Sequence, residues 1–463
     1  MIQRCSISTK APFAVIAPIV AILIPLFMPL RLSLVYGVLI PTLLLWFYTN
    51  RTTLKERYQG NQILKSFHLF LLMTFISSFF GINPYQSWQA LFSLFFFSFT
   101  ILLFEDLTHR FSAIYLIIPL LCGQALAALH SVIEGGLGGN LKRFFVGTVS
   151  ESGQIALTLT VGVAVAYVIS KQSKQAGTLQ YFSPIIFFIL SSLVAFNPQL
   201  NTPYPLFLIA VALTAFITFY AIYVALRYLI TTGRNFNKGS DATPFNGTKT
   251  PPTYPVKLKL ALNTTILPLI TCALLVNLKR GPWFGVLVGL TIFFTFFKRR
   301  IVIPLFLFAV ILLLAITPLR TRLGDSIQDF NISGGRNIMW KIGMELSTRY
   351  PLGIGFNNSE YLQRFSAEIP KTHQHFHNNF INILVECGFF SFFFFLYWLL
   401  QICKKAFNSN TNSKYNKALQ VGLGCALIAM MSAGLVEYNF GDSEVCILLL
   451  ILTGILSGIK DTP

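Results

Sequence analysis

The sequence predicts an all-α, polytopic membrane protein. Hydrophobic residues make up 54% of the 463-residue chain and charged residues only 11%, so most of its length cannot be the surface of a soluble globule. Apolar runs long enough to cross a hydrocarbon core of roughly 30 Å recur from end to end. Basic residues collect in every second connection between these runs, as is typical of cytoplasmic loops.

The apolar runs predict about fourteen crossings, with about twelve as a lower bound because one run is short and the first hairpin is tight. They lie near 11–30, 33–49, 65–81, 87–104, 112–131, 154–170, 183–196, 204–230, 258–277, 282–298, 300–317, 379–401, 417–436 and 445–459. We therefore expect three parts. Transmembrane helices fill 1–317 and 377–463, and the loop at 318–376 between them lies outside the membrane.

Lysine and arginine set the predicted orientation. They gather at 51–57, 171–174, 234–259, 298–300, 404–417 and Lys460, which the positive-inside rule assigns to the cytoplasm together with both termini. The same alternation places 132–153, 278–281, 318–376 and 437–444 on the outer side. The net charge of +19 does not predict a nucleic-acid partner, because the basic residues lie in short loops without RNA-reading motifs.

The outer loop is predicted to contain one amphipathic helix that starts near Arg336 and ends before Pro351. Apolar and charged side chains interleave there at roughly helical spacing: Ile338, Ile342, Met344 and Leu346 with Lys341, Glu345 and Arg349. Such a helix lies on the bilayer surface or caps the bundle. The alternative interpretation is a purely structural lid.

Arginines on the outer side need a reason, because the positive-inside rule disfavours them there. Arg280 stands at the outer mouth of a predicted span, and Arg336 heads the amphipathic helix. A guanidinium binds phosphate oxygens through a planar fork without a metal, so both positions predict a phosphate site. The alternative is that outer cations extend to lipid phosphates. Contact with lipid phosphates is the favoured interpretation for Lys142, Arg143, Arg320 and Arg322.

Three of the six histidines, His373, His375 and His377, come just before a span that starts with Asn379, Asn382 and Glu386. On an extended strand they would point the same way and could bind a metal ion. The segment is entering a helix and has no carboxylate at ligand spacing, so we predict no metal site. A structural role at the interface is a second interpretation. The third is acid–base chemistry, since histidine exchanges protons near neutrality.

A resemblance to a known family is carried by the pattern Arg336...Trp340...Pro351-Leu352-Gly353-Ile354-Gly355...His375-Phe376-His377-Asn378...Glu386-Cys387-Gly388 and the phenylalanine-rich run that follows. This pattern resembles the signature of the O-antigen ligase/polymerase superfamily over roughly residues 262–400. Lys279-Arg280-Gly281 is similar to the Ser-Arg-Gly of that family, with lysine in place of serine. Arg143...Gly147...Ala156 is a weaker match, because the Asn-Pro usual in the family is missing there.

The resemblance implies a GT-C-like, inverting glycosyltransferase of the bacterial inner membrane that needs no metal or other cofactor and works on the periplasmic side. Its donor would be a glycan on undecaprenyl diphosphate, its acceptor lipid A-core oligosaccharide, and its surroundings membrane lipids. Arg280 and Arg336 would bind the donor diphosphate, and His377 would be the base with His375 assisting. Secondary candidates are Arg143, Trp340, Asn378 and Glu386.

The most specific expectation is an O-antigen ligase of lipopolysaccharide biosynthesis. Within the family the alternative is an O-antigen polymerase, which uses the same donor and a second undecaprenyl-linked glycan as acceptor. From another class, a membrane transporter would need ionisable residues near the middle of its spans, and Glu386 is the main one here.

Overall fold

A computed structural model describes residues 12–139, 141, 145–173, 179–237, 254–331, 335–369, 374–408, 411 and 413–460. Its helices are α1 (Pro12–Phe27), α2 (Leu32–Asn50), α3 (Leu54–Gly60), α4 (Gln62–Ser78), α5 (Pro84–Ser98), α6 (Thr100–Phe111), α7 (Ala113–Gly136), α8 (Thr148–Gln172), α9 (Leu179–Ala195), α10 (Asn197–Leu200), α11 (Tyr204–Asn237), α12 (Val256–Leu260), α13 (Leu267–Val276), α14 (Arg280–Phe297), α15 (Val302–Ala315), α16 (Thr317–Asn331), α17 (Arg336–Arg349), α18 (Asn379–Phe407), α19 (Lys414–Ala433) and α20 (Ser443–Gly458). None of the described residues lies in a strand, so the all-α prediction is confirmed.

Short irregular helices complete the chain. A π-helix at Ala261–Ile266 joins α12 to α13, and 3-10 turns lie at Arg299–Ile301 and Ser359–Arg364. Pro268 lies two residues after the last residue of the π-helix, and its missing N–H and bulky ring account for the local widening of the helix. α12, the π-helix and α13 together form one candidate membrane span, Val256–Val276.

Eight spans among the described residues are long and apolar enough to cross a membrane, which confirms a multi-pass membrane protein. α15 and α16 add a ninth candidate only if their 93° bend is counted within one span. Four shorter apolar helices lie at Phe13–Phe27, Gln62–Ser78, Phe182–Ala195 and Ser443–Gly458. Each predicted apolar run overlaps with helical structure, although 87–104 crosses from α5 into α6 and 258–277 runs through α12, the π-helix and α13. The number of crossings and the side each loop faces stay predictions.

Small residues bring α8, α14 and α19 close together in the centre of the bundle. A Cβ atom at Gly285 of α14 would lie 2.2 Å from the carbonyl oxygen of Ala429 on α19. A Cβ atom at Gly422 of α19 would lie 2.2 Å from the Cβ atom of Ala164 on α8. Backbones that approach this closely are typical of helix packing in lipid, where van der Waals contact replaces the hydrophobic effect.

α18 runs along the whole bundle and defines its two ends. Its 29 residues form two helical segments on either side of Gly388, whose backbone is not helical. His377 lies just before its first turn, whereas Lys405 in its last turn lies near Glu105 of α6. We call these the histidine end and the Asp106 end, after the buried Asp106 next to Glu105.

The predicted amphipathic helix is confirmed as α17, with Arg336 as its first residue. It covers the start of α18, because Met339, Ile342 and Leu346 pack into one apolar cluster with Phe376. The predicted apolar face was wrong at Met344, which is 50% exposed. The buried positions follow the three- and four-residue spacing of a helix face, and residue 344 falls on the opposite side.

Candidate active site at the histidine end

A break inside α18 explains two of the sequence motifs. Gly388 has φ 77° and ψ 174°, so the helix opens there and accepts a neighbouring segment along its backbone. Ile354 N donates to the carbonyl oxygen of Val385 at 2.9 Å. A Cβ atom at Gly353 would lie 2.4 Å from the carbonyl oxygen of Glu386, a distance that only glycine tolerates. The Pro-Leu-Gly-Ile-Gly motif at 351–355 and the Glu-x-Gly motif at 386–388 thus bind each other through their backbones.

Two asparagines fix the start of α18. The Asn378 side chain accepts two backbone N–H groups of the first turn and donates to the carbonyl oxygen of Leu435 at 2.8 Å. Asn379 is fully buried and accepts the backbone N–H of Phe440 at 3.0 Å. Both bonds lead to the loop between α19 and α20. Asn378 therefore positions the histidine segment by capping the helix and anchoring it to that loop.

The next polar residues on the same face hold further segments. Asn382 accepts the backbone N–H of Phe376 at 3.2 Å. Glu386 accepts the backbone N–H of Ser359 at 3.0 Å and lies 3.5 Å from the hydroxyl of Tyr438. Glu386 therefore connects α18 to the segment at Ser359 and to the loop at Tyr438. It is only 1% exposed, so it does not line an open surface.

The centre of the site is a carboxylate that the sequence motifs did not include. Glu437, between α19 and α20, lies between Arg336 and His377. Its Oε1 accepts from Nη2 of Arg336 at 3.1 Å, and its Oε2 lies 3.8 Å from Nδ1 of His377. A Cβ atom at Gly281 would lie 2.9 Å from Cγ of Glu437, so the start of α14, with Arg280, adjoins the same carboxylate.

The charges around Glu437 keep it ionised. Burial alone would raise its pKa, but the neighbouring His377 and the charges of Arg336 and Lys279 outweigh burial, so the pKa of Glu437 is lowered. The nearby Asp442 behaves in the opposite way. Burial and the charges of Glu444 and Glu437 raise its pKa to about 6. Glu437 is therefore a fixed negative charge at neutral pH.

His377 is held on several sides. Its φ of 52° is a left-handed conformation that costs energy outside glycine and persists where the surroundings enforce it. Its backbone N–H donates to Nδ1 of His375 at 3.2 Å, and the two rings are 4.2 Å apart. Trp340 of α17 donates its indole N–H to the carbonyl oxygen of Phe376 at 3.1 Å. The His375 ring also lies 5.6 Å from the ring of Tyr438.

Arg280 occupies the first position of α14, close to α16. Its Nη1 donates to the carbonyl oxygen of Arg322 at 3.4 Å. Arg280 and Arg336 were predicted to act together, and 56 positions separate them in sequence. Arg336 binds Glu437 directly, whereas the guanidinium of Arg280 reaches α16, and it is the next residue of α14, Gly281, that adjoins Glu437. An anion that binds at this end of the bundle would meet cations from two different helices.

The turn before Arg280 is fixed by a second carboxylate absent from the sequence prediction. Glu151 of α8 is 1% exposed, and its Oε2 accepts from Asn277 Nδ2 at 3.1 Å and from Ser131 Oγ at 2.6 Å. Leu278 follows with φ 53°, which turns the chain sharply into α14. Glu151 thus links α7 and α8 to the turn that presents Arg280.

Two predicted residues, Arg143 and His373, lie outside the described residues, so their roles stay predictions. In the part of the chain that is described, no group of three His, Cys, Asp or Glu residues is placed to hold a metal ion. Glu437 and Glu151 were missed because each lies far in sequence from the residue it serves. A usable signal existed for Glu437, which is an acidic residue in a short predicted outer connection.

The geometry supports proton transfer beside a bound anion. An imidazole next to a carboxylate can accept a proton and be stabilised in its charged form. Guanidinium groups at the start of two helices can neutralise a phosphate.

Comparison with known families agrees with this part of the chain. The O-antigen ligase family model matches residues 265–396, from the π-helix before α13 to the middle of α18. The match includes Arg280, Arg336 and His377, whereas Glu437 lies beyond its end. None of the curated proteins searched matches the chain.

Proposed function

We propose that this protein is a ligase that transfers a glycan from undecaprenyl diphosphate to lipid A-core oligosaccharide. The premise is that the chain carries a domain of the O-antigen ligase superfamily at residues 265–396. The single observation that carries the proposal is the arrangement of His377, Glu437 and Arg336 beside the start of α14. It combines a base and an anion site, which are the two requirements of glycosyl transfer from a diphosphate.

His377 is the proposed base. Its Nδ1 faces Glu437, which leaves Nε2 to take the proton from the attacking sugar hydroxyl. The hydroxyl oxygen then bonds to the anomeric carbon from the face opposite the diphosphate, and the bond from that carbon to the diphosphate oxygen breaks. The configuration at the anomeric carbon is inverted. Glu437 orients the ring and stabilises the imidazolium.

Arg280 and Arg336 are the proposed partners of the leaving diphosphate, which gains negative charge as its bond to the sugar breaks. A guanidinium has several donors in one plane, so Arg336 can bind Glu437 and a phosphate oxygen together. Charge neutralisation by arginine makes a metal or another cofactor unnecessary in this scheme.

The proposed location is the bacterial inner membrane, with both termini in the cytoplasm and the histidine end in the periplasm. The alternation of basic loops supports this orientation. A periplasmic site is also where a base and arginines would meet a donor and an acceptor that are both anchored in the outer leaflet.

An O-antigen polymerase, which uses the same donor, is the second candidate within the superfamily. One large loop late in the chain, at 318–376, favours the ligase. A transporter is disfavoured by Glu386, the main ionisable residue inside a predicted central span. It is 1% exposed and bound to Ser359 rather than facing a pathway.

Lipopolysaccharide gels of a strain that lacks this protein separate the candidates. Loss of a ligase leaves bare core, whereas loss of a polymerase leaves core with one glycan unit. We expect bare core, with undecaprenyl-linked glycan accumulating, and restoration by the wild type but not by His377→Ala. Long glycan chains on the core of the deletion strain would show that the proposed function is wrong.

A further inference from the structure

An apolar groove opens on the side of the bundle, between the end of α9 and the junction of α15 with α16. Its volume is about 270 Å³. It is lined by Phe188, Leu193, Phe196, Leu200, Ile316 and Pro318, among others. The few polar side chains of its lining lie near the helix ends, so a long apolar molecule fits its surface better than water or a free sugar.

The groove exists because α15 stands apart from the bundle. None of its residues is buried, and it meets α9 through Phe308 and Phe188, whose ring centroids are 6.1 Å apart. At Ile316 the backbone becomes extended, and α16 leaves at 93° to α15. The bend lies about two helical turns beyond Phe308, at the predicted outer end of α15. It leaves a gap between the end of α9 and the start of α16, and this gap is the groove.

The groove leads to the cations of the proposed site. Pro318 lines it, and Arg322 follows one helical turn later, at about 6 Å along α16. The carbonyl oxygen of Arg322 accepts from Arg280. Arg320 is exposed on the same turn. An apolar wall therefore ends beside a group of positive charges, which is the complement of a molecule with an apolar chain and an anionic head.

We propose that this groove binds the polyprenyl tail of the donor, at the isoprene units nearest the diphosphate. The inference rests on the proposed function for its head-group site and adds the path of the tail. The volume is too small for a whole long-chain polyprenyl group, so the distal units extend into the bilayer. Binding of the proximal units fixes the diphosphate next to Arg280.

The test compares two donors that carry the same glycan, one on a long polyprenyl diphosphate and one on a short, water-soluble prenyl diphosphate. Leu193→Trp and Ile316→Trp fill the groove. Ile186→Trp and Ile303→Trp are the matched controls, because these side chains lie on α9 and α15, are 63% and 72% exposed, and do not line the groove.

We expect the two groove variants to raise KM for the long donor by about tenfold, as the loss of ~1.4 kcal/mol of apolar contact would do. The KM for the short donor and the kcat for both donors should stay within about twofold of wild type. The control variants should change neither donor. If the groove variants weaken both donors equally, or neither, the tail does not lie in this groove.

Crosslinking provides a readout that does not depend on turnover. A long polyprenyl diphosphate with a diazirine on its first isoprene units should label the 193–200 and 316–318 segments, and unlabelled donor should displace it. Labelling by a diazirine phospholipid that the donor does not displace would identify a site for bulk lipid and overturn the inference. If the wild type transfers glycan from neither donor, the proposed function fails, while the crosslinking result still decides the groove.

Discussion

Asp106 and Glu437 lie at opposite ends of the bundle, and each carboxylate lies within 4 Å of two basic side chains. Asp106 accepts from Nη1 of Arg57 and Nε of Arg110, both at 3.1 Å. Glu437 accepts from Arg336 at 3.1 Å and lies 3.8 Å from His377. Both side chains are largely buried, at 3% and 17% exposure. The two sites therefore differ less in burial than in the nature of their partners.

The partners of Asp106 are permanently charged and lie on regular helices, and Trp46 adds an indole N–H at 3.4 Å. One partner of Glu437 is an imidazole, and the backbone of that residue, His377, is in the left-handed region. Asp106 between two arginines forms a fixed ion-pair network that links α3 to α6. A carboxylate beside a constrained imidazole can also take part in proton transfer. We therefore predict a structural role for the Asp106 end and a chemical role for the histidine end.

The largest effect is expected for His377→Ala. Removing the base should lower glycan transfer by about a hundredfold to ten-thousandfold, while donor binding persists. The measurement is transfer per folded molecule, with His109→Ala at the Asp106 end as the control that keeps its activity. If His377→Ala transfers normally and His375→Ala or His373→Ala does not, another histidine is the base.

Arg280→Lys and Arg336→Lys should each lower kcat/KM by about tenfold, because lysine keeps the charge but loses the planar fork. Arg57→Lys makes the same exchange at the Asp106 end and should leave transfer unchanged. Steady-state kinetics at matched protein levels provide the comparison. Full activity in both site variants would rule out the diphosphate role.

Glu437→Gln should change the pH profile of transfer. The lowered pKa of Glu437 keeps it ionised around neutrality, so the acidic limb of the profile does not report its own titration. Without the carboxylate the imidazolium loses a stabilising charge, and the acidic limb should move to lower pH, with a plateau about tenfold lower. Asp442→Asn is the control for a nearby group whose pKa is raised to about 6. An unmoved limb in Glu437→Gln would separate Glu437 from the proton transfer.

The same shift predicts how stability depends on pH. A carboxyl group whose pKa is lowered by folding stabilises the protein above the pKa of the unfolded chain, and this contribution is lost as the pH falls through the folded value. Thermal unfolding of the wild type should therefore lose more stability on acidification than that of Glu437→Gln. Equal losses would mean that the ion pair with Arg336 does not contribute.

The smallest effect on activity is expected for Asp106→Ala. Removing the carboxylate leaves two arginines without their shared partner and should destabilise the fold by about 3–5 kcal/mol. Transfer per folded molecule should stay within about twofold of wild type. Thermal unfolding in detergent and transfer assays of the folded fraction measure the two quantities. A large loss of activity per folded molecule would contradict the structural assignment.

The pattern of neighbouring residues was enough to predict the helices and the main candidate site residues. Apolar length defined the spans, and α17 begins at the predicted Arg336, because hydropathy and helix-end signals depend only on neighbouring residues. Arg280, Arg336 and His377 were recognisable for the same reason. Each is a charged or titratable group in a place where its neighbours make it unusual.

Tertiary structure alone decided what these groups contact. Glu437 reaches His377 across 60 positions, and Glu151 reaches Asn277 across 126, because α19, α20 and α8 pack against the start of α14 and α18. Asn378 caps α18 through local bonds to Phe380 and Ile381, but its bond to Leu435 spans 57 positions and depends on tertiary structure. Helix packing decides which side chains meet. Packing depends on residues that are far apart in sequence, so the spacing of residues within one segment does not predict it.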